Sequence, residues 1–209
     1  MKFDIKNTKY YLVFVVIIFG IFSLWYVAHE KNFSYPIMKN ITTQVGNTNL
    51  KSEDNNYFVG VIKSQAQLMG QALISGDYKT FITYTYPKVI EIVGGEKNLV
   101  QLLSKSNLIG YKLIAISIGS VSNVVVSGSE LQAVVSQTIV TRVDDGNEHG
   151  RLLSTSSLVA ISQDGGKNWT FVDTSDKSLA ILKGIIPTLS NELVIPAMSK
   201  PVFYPSPNS

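Results

Sequence analysis

The sequence predicts an α+β fold, and three observations predict it. Apolar residues recur at helical spacing from Tyr57 to Ser106, β-branched runs separated by Asp-Gly turns fill Tyr111 to Asp173, and the two kinds are segregated along the chain. An uncharged run from Tyr10 to Ala28 adds a membrane helix ahead of this domain. The expected architecture is an N-terminal transmembrane helix followed by a cone-shaped domain, with about three helices packed on a curved antiparallel sheet.

The run Tyr10 to Ala28 is apolar on every side, with Tyr10 and Tyr11 at one end and Trp25 and Tyr26 at the other. As a helix it spans about 28 Å, the thickness of the hydrocarbon core, and puts aromatic rings at both interfaces. Lys2, Lys6 and Lys9 precede it, which favours an inside amino terminus. The expected layout is residues 1–9 in the cytoplasm, 10–28 as a signal anchor, 29–56 as a polar linker, 57–190 as the folded domain and 191–209 as a proline-containing tail. The protein is then expected in the inner (cytoplasmic) membrane, single-pass, its C-terminal domain outside the cytoplasm. Cleavage after Ala28 is the alternative and would give a secreted chain, although Tyr26 is too large for a signal-peptidase site.

Within the domain, Val59, Ile62, Ala66, Met69 and Leu73 share one helix face. Gly76 ends that helix and Asp77 caps the next, Tyr78 to about Tyr86, which Pro87 stops. Lys88 to Val93 reads as a short strand or a last helical turn, and Glu96 to Ser106 as a third helix with Leu99, Leu102 and Leu103 inward. Strands follow at Tyr111–Val126 with a break near Gly119, at Leu131–Val143, at Arg151–Ser162 and at Trp169–Asp173. A short closing helix is expected at Asp176–Lys183. Pro187, Pro196, Pro201, Pro205 and Pro207 make the remainder irregular, laid over the sheet.

Composition excludes several functions. The chain of 209 residues has no cysteine and two histidines, which removes disulfides, thiolate sites, cysteine nucleophiles and multi-histidine metal centres. A net charge of +3, with the folded part near neutral, offers no nucleic-acid surface. No cofactor motif is present: Gly94-Gly95-Glu96 lacks the lysine pattern of a phosphate-binding loop.

The stretches Gly76–Gly95, Glu130–Gln137 and Leu158–Asp173 resemble the nuclear transport factor 2-like (SnoaL-like) superfamily, and more narrowly uncharacterised bacterial, membrane-anchored members. The resemblance covers residues 57 to 190. It implies a conical cavity between helices and sheet, in which enzymes of the superfamily commonly use an Asp, His or Tyr. No such catalytic residue carries over by motif. An anchor followed by such a domain is also the layout of inner-membrane bridge components of type IV secretion systems.

Candidate chemistry is sparse. Glu91, flanked by Ile90 and Ile92, is an acid or base candidate if it faces the cavity. Tyr78, Phe81, Tyr84 and Tyr86 are candidates to line a pocket for a small apolar ligand. Ser162 to Trp169 fits the Asp-box pattern S-x-D-x-G-x-x-W, in which Asp164, Gly166 and Trp169 build a structural turn. His149 sits in a polar hairpin with Asp144 and Asp145, whose spacing fits no metal-binding template. Two roles follow: a non-enzymatic module that binds a small apolar ligand or docks a protein partner on its open sheet, or a small isomerase, dehydratase or hydrolase using Glu91. The strand Leu131–Val143 also permits a homodimer through that sheet.

Overall fold

The computed structural model describes residues 52–105, 110–144, 146, 148–175 and 177–206. The cytoplasmic segment, the membrane anchor and most of the linker expected at 1–51 lie outside the described residues. Among the described residues no helix is long and apolar enough to cross a membrane.

The first helix, α1, covers Ser52–Ser75 and so begins inside the stretch expected to be linker. Glu53 and Asp54 in its first turn suit the positive end of the helix dipole. Ile62, Ala66 and Met69 are its buried stripe. Its end is a Schellman arrangement: Gly76 takes φ +77°, its N–H donates to Leu73 O, and the Asp77 N–H donates to Ala72 O at 2.9 Å. The Asp77 carboxylate then accepts the Thr80 N–H and caps α2, Tyr78–Thr83.

Helix α2 is shorter than its sequence suggests. Residues 84–86 leave it to pair with a strand, since the Phe171 N–H donates to Tyr84 O and the Tyr86 N–H donates to Phe171 O. Pro87 therefore starts a helix rather than ending one, at the first position of α3, Pro87–Ile92. Helix α4, Glu96–Lys105, packs Leu99 and Leu103 against Ile82.

The sheet has six strands: β1 (Tyr111–Val121), β2 (Val125–Ser127), β3 (Glu130–Asp144), β4 (His149–Ser162), β5 (Thr170–Asp173) and β6 (Val202–Pro205). The order is β1-β3-β4-β5, with β2 also on β3 and β6 also on β4; these strand pairings are antiparallel, and the isolated bridge of Thr85 to Phe171 is parallel. Irregular register between Leu113 and Ala115 and between Ile118 and Val121 gives β1 the bulges that bend and twist a strand. The break expected near Gly119 takes the form of the register irregularity between Ile118 and Val121, and the strand itself stops only at residues 122–124. Gly119 is there because Ser136 lies against it, and its backbone continues the strand.

The helix-facing side of the sheet carries Ala133, Val135, Leu158, Ala160 and Phe171 against Ile62, Ala66 and Met69. Further down the same side, Ile116, Ile139, Val143 and Leu152 meet Leu73 and Ile74. The outer side is covered only in part. Helix α5, Leu179–Ile185, and the chain after it lay Leu182, Ile185, Ile186 and Leu189 over Val159, Ile161 and Val172. The tail is thus part of the domain: Val202–Pro205 is a strand on Leu153–Gly150, and Ser199 bonds Thr155. Among the described residues, no helix covers the opposite, lower end of the outer side.

Candidate functional site

The alternation of β3 and β4 decides which residues meet the helices. Residues opposite one another in an antiparallel pair share a face. Counting down from Val135 and Leu158, the helix-facing side continues as Gln137 opposite Ser156, Ile139 opposite Ser154, and Thr141 opposite Leu152. On β5, Asp173 opposite Leu158 joins them. A polar diagonal therefore crosses an otherwise apolar inner face, from Asp173 through Gln137 and Ser156 to Ser154 and Thr141.

The upper part of that floor is tightly bonded. Gln137 Nε2 donates to Asp173 Oδ2 at 2.8 Å and to Ser156 Oγ at 3.0 Å. The Ser175 N–H donates to Asp173 Oδ1 at 2.7 Å. Burial raises the Asp173 carboxyl above its ordinary value, against the nearby Lys177 ammonium and the bonds from Ser175 and Gln137, which pull it down. Three hydroxyls, two lower on the floor and one beside Asp173, are not bonded in this way. The side-chain oxygens of Thr141, Ser154 and Ser175 are buried with no hydrogen-bond partner among the described residues. Buried hydroxyls are ordinarily satisfied, and unpaired ones cost free energy on the scale of about 1–3 kcal/mol each.

The sequence candidates are placed elsewhere. Glu91 lies on α3, 69% exposed, with Lys88 Nζ at 2.6 Å. Of the two forms expected for Lys88–Val93 the helical one is found, Pro87–Ile92, and Glu91 faces solvent on it, so the enclosed placement that an acid–base role requires is corrected. The aromatic four do not line one pocket. Phe81 and Tyr84 pack into the α1 core, Tyr78 joins Ile82 and Leu103, and Tyr86 is buried with Val159 and Val172 on the outer side of the sheet. They are separated because residues 84–86 cross the edge of β5.

A groove of about 460 Å³ lies between α5 and the tail, lined by Thr174, Lys177, Leu182, Leu193, Pro196 and Met198. None of the aromatic candidates borders it. Of its lining, Thr174 bonds Ser157 O through both its N–H and its hydroxyl, at the end of the β4 stretch left between the partners of β5 and β6.

The Asp-box turn forms as its residues require. Asp164 Oδ1 accepts the backbone N–H groups of Lys167 and Asn168, and Oδ2 accepts Asn168 Nδ2 at 2.6 Å. Ser162 Oγ donates to Asp164 Oδ1 and accepts the Gly166 N–H. Trp169, fully buried, donates from Nε1 to Gly166 O. The turn is also tied to α1 and to β3: Gln65 accepts the Trp169 N–H and donates to Lys167 O, and Gln163 Nε2 donates to Glu130 Oε1. His149 Nδ1 lies 2.8 Å from Asp144 Oδ1 at an exposed hairpin end. No group of three or more metal-ligating side chains exists among the described residues.

Sequence reasoning missed Asp173 and Gln137. The signal was present in the parity of the strands, since Gln137 and Thr141 occupy the same alternate positions as Ala133, Val135, Ile139 and Val143. Comparison with protein-family models, with curated proteins and with solved structures finds no match to this chain.

Proposed function

We propose that this chain is a membrane-tethered, non-enzymatic binding module of nuclear transport factor 2-like type. Residues 10–28 hold it in the membrane, and a cone-shaped domain outside the cytoplasm binds a small, mostly apolar molecule carrying one polar group. The observation that carries the reading is the set of buried, unpartnered hydroxyls of Thr141, Ser154 and Ser175 beside the Asp173–Gln137 pair. Apolar residues surround a short polar floor, which is the composition of small-molecule sites. The order of helices before an antiparallel sheet supports the family reading.

Native mass spectrometry of the full chain tests this. The expected result is an excess mass that is lost on denaturation, and whose occupancy falls in a Thr141→Val, Ser154→Ala double variant. A bare wild-type mass, together with a double variant more stable than wild type, would show that the hydroxyls serve no ligand.

A second reading, the small acid–base enzyme, rests on Asp173 in place of Glu91. A carboxyl raised by burial holds a proton closer to neutral pH, and Gln137 fixes its orientation. It predicts that Asp173→Asn retains the bound molecule but stops its turnover, whereas the binding module loses nothing but affinity.

A further inference from the structure

The bare lower end of the outer sheet face has a composition unlike the rest of the surface. One rung across four strands reads Lys112, Arg142, Arg151 and Tyr204, and these residues are direct partners in register. The next rung reads Ala115, Val140, Leu153 and Val202. The three cations are exposed, and Tyr204 and Val202 are 53% and 50% exposed. Like charges directly opposite one another destabilise a sheet, so folding does not explain the row. Lys112, Arg142 and Arg151 have no ion pair among the described residues, and Asp144 on the adjoining rung is engaged by His149 at 2.8 Å.

We infer that this face docks on an anionic phospholipid surface. Three cations, a tyrosine and a strip of aliphatic side chains, half-buried at Ala115, Val140 and Leu153 and exposed at Val202, match a headgroup layer, with its negative phosphates over apolar chains. The inference takes from the proposed function only the membrane anchor, and the tether permits it. Helix α1 starts at the opposite end of the domain, where Asn55 accepts the Val124 N–H, and its 24 residues extend about 36 Å. Residues 29–51 reach up to about 75 Å when extended, enough to let the domain lie down on its outer face.

The test uses the full chain reconstituted in phosphatidylcholine vesicles with and without phosphatidylglycerol. The chain lacks cysteine, so Val202→Cys and, at the far end, Lys167→Cys each accept one fluorophore. A lipid-borne headgroup quencher should quench the label at 202 and spare that at 167, only with phosphatidylglycerol, and salt should reverse it. Arg142→Glu with Arg151→Glu should lower the quenched fraction on the order of tenfold. Should that variant fail to fold, Arg142→Gln with Arg151→Gln should give a smaller loss. Quenching at 202 that ignores lipid charge, or that is absent with phosphatidylglycerol, overturns the inference. So does a label that responds to added polyglutamate or DNA in place of the vesicle, which would name a soluble acidic partner. An alkaline-carbonate wash reads the anchor separately: a chain that stays with the lipid while the label at 202 remains in water keeps its anchor and loses its docking face.

Discussion

Asp164 shows how one side chain is held by charge and geometry together. The backbone and side-chain N–H groups of Asn168, with Ser162 and Lys167, lower its carboxyl from 3.8 to about 2. The folded value lies below the free one, so the contribution to stability is present above the free value and is lost as pH falls toward and through about 2. Asp164→Ala should therefore lower stability by about 1 kcal/mol at neutral pH, the scale of losing a capping carboxylate. Urea midpoints of wild type and variant should converge as the pH is taken down through this window. A gap that stays constant with pH would mean that Asp164 acts by shape alone. Glu91 makes the opposite case at the same scale. Its neighbours Ile90 and Ile92 suggested an enclosed carboxylate, but on a helix those neighbours point to other sides, and the Lys88 ammonium meets it in solvent.

At the scale of elements, α1 and the Asp-box turn fix one another. Gln65 bonds Lys167 and Trp169 across 102 and 104 residues of sequence, and Phe58 meets the Trp169 ring edge-on at 6.2 Å. Gly166 takes φ +89° with the Phe58 ring against it, whereas Gly165 takes φ +76° with nothing near. Gly166→Ala should cost roughly 2–4 kcal/mol, strain and overpacking together, and Gly165→Ala about 1 kcal/mol, strain alone. Equal shifts in the two urea midpoints would remove the contact with α1 from the account. The turn, the Gly76–Asp77 junction and the long strands were legible in the sequence because each depends on residues within a few positions. Strand β6 was not: Val202 to Tyr204 lies between Pro201 and Pro205 and gains its strand form only from pairing with residues 150–153, about fifty positions earlier in the chain. The end of α2 was hidden for the same reason, since Phe171 captures the backbone of Tyr84 and Tyr86. The polar floor was half legible: parity marks Gln137 and Thr141 as inward, but only the pairing of β5 brings Asp173 to them.

At the scale of the whole molecule, β4 is the hub. It pairs along its entire length with β3 on one side and holds β5 and β6 at its two ends on the other. Both of its faces are covered at the β5 end, by α1 on one side and by α5 with the tail on the other. The tail is tied in by a buried carboxylate: Glu130 accepts from Gln132, Gln163 and Thr188, while Gln132 accepts the Ser190 N–H. These donors are neutral, so the tie is a hydrogen-bond lattice, and it closes only when the tail lies over β3. Opening the domain therefore requires the β3–β4 ladder to part last. Among the described residues β1 pairs on one side only and should open sooner, and β6 sooner still, because four residues at a sheet edge bury little. Hydrogen exchange of the full chain should rank the amides accordingly: slowest in 131–143 and 152–161, intermediate in β1 and α1, fastest in β6. Gln132→Ala should speed exchange across 188–206 well before it touches β3 and β4, because it releases the tail without cutting the ladder. Uniform acceleration of all strands in that variant would show that the tail is an integral part of the cooperative core and not a clasp over it.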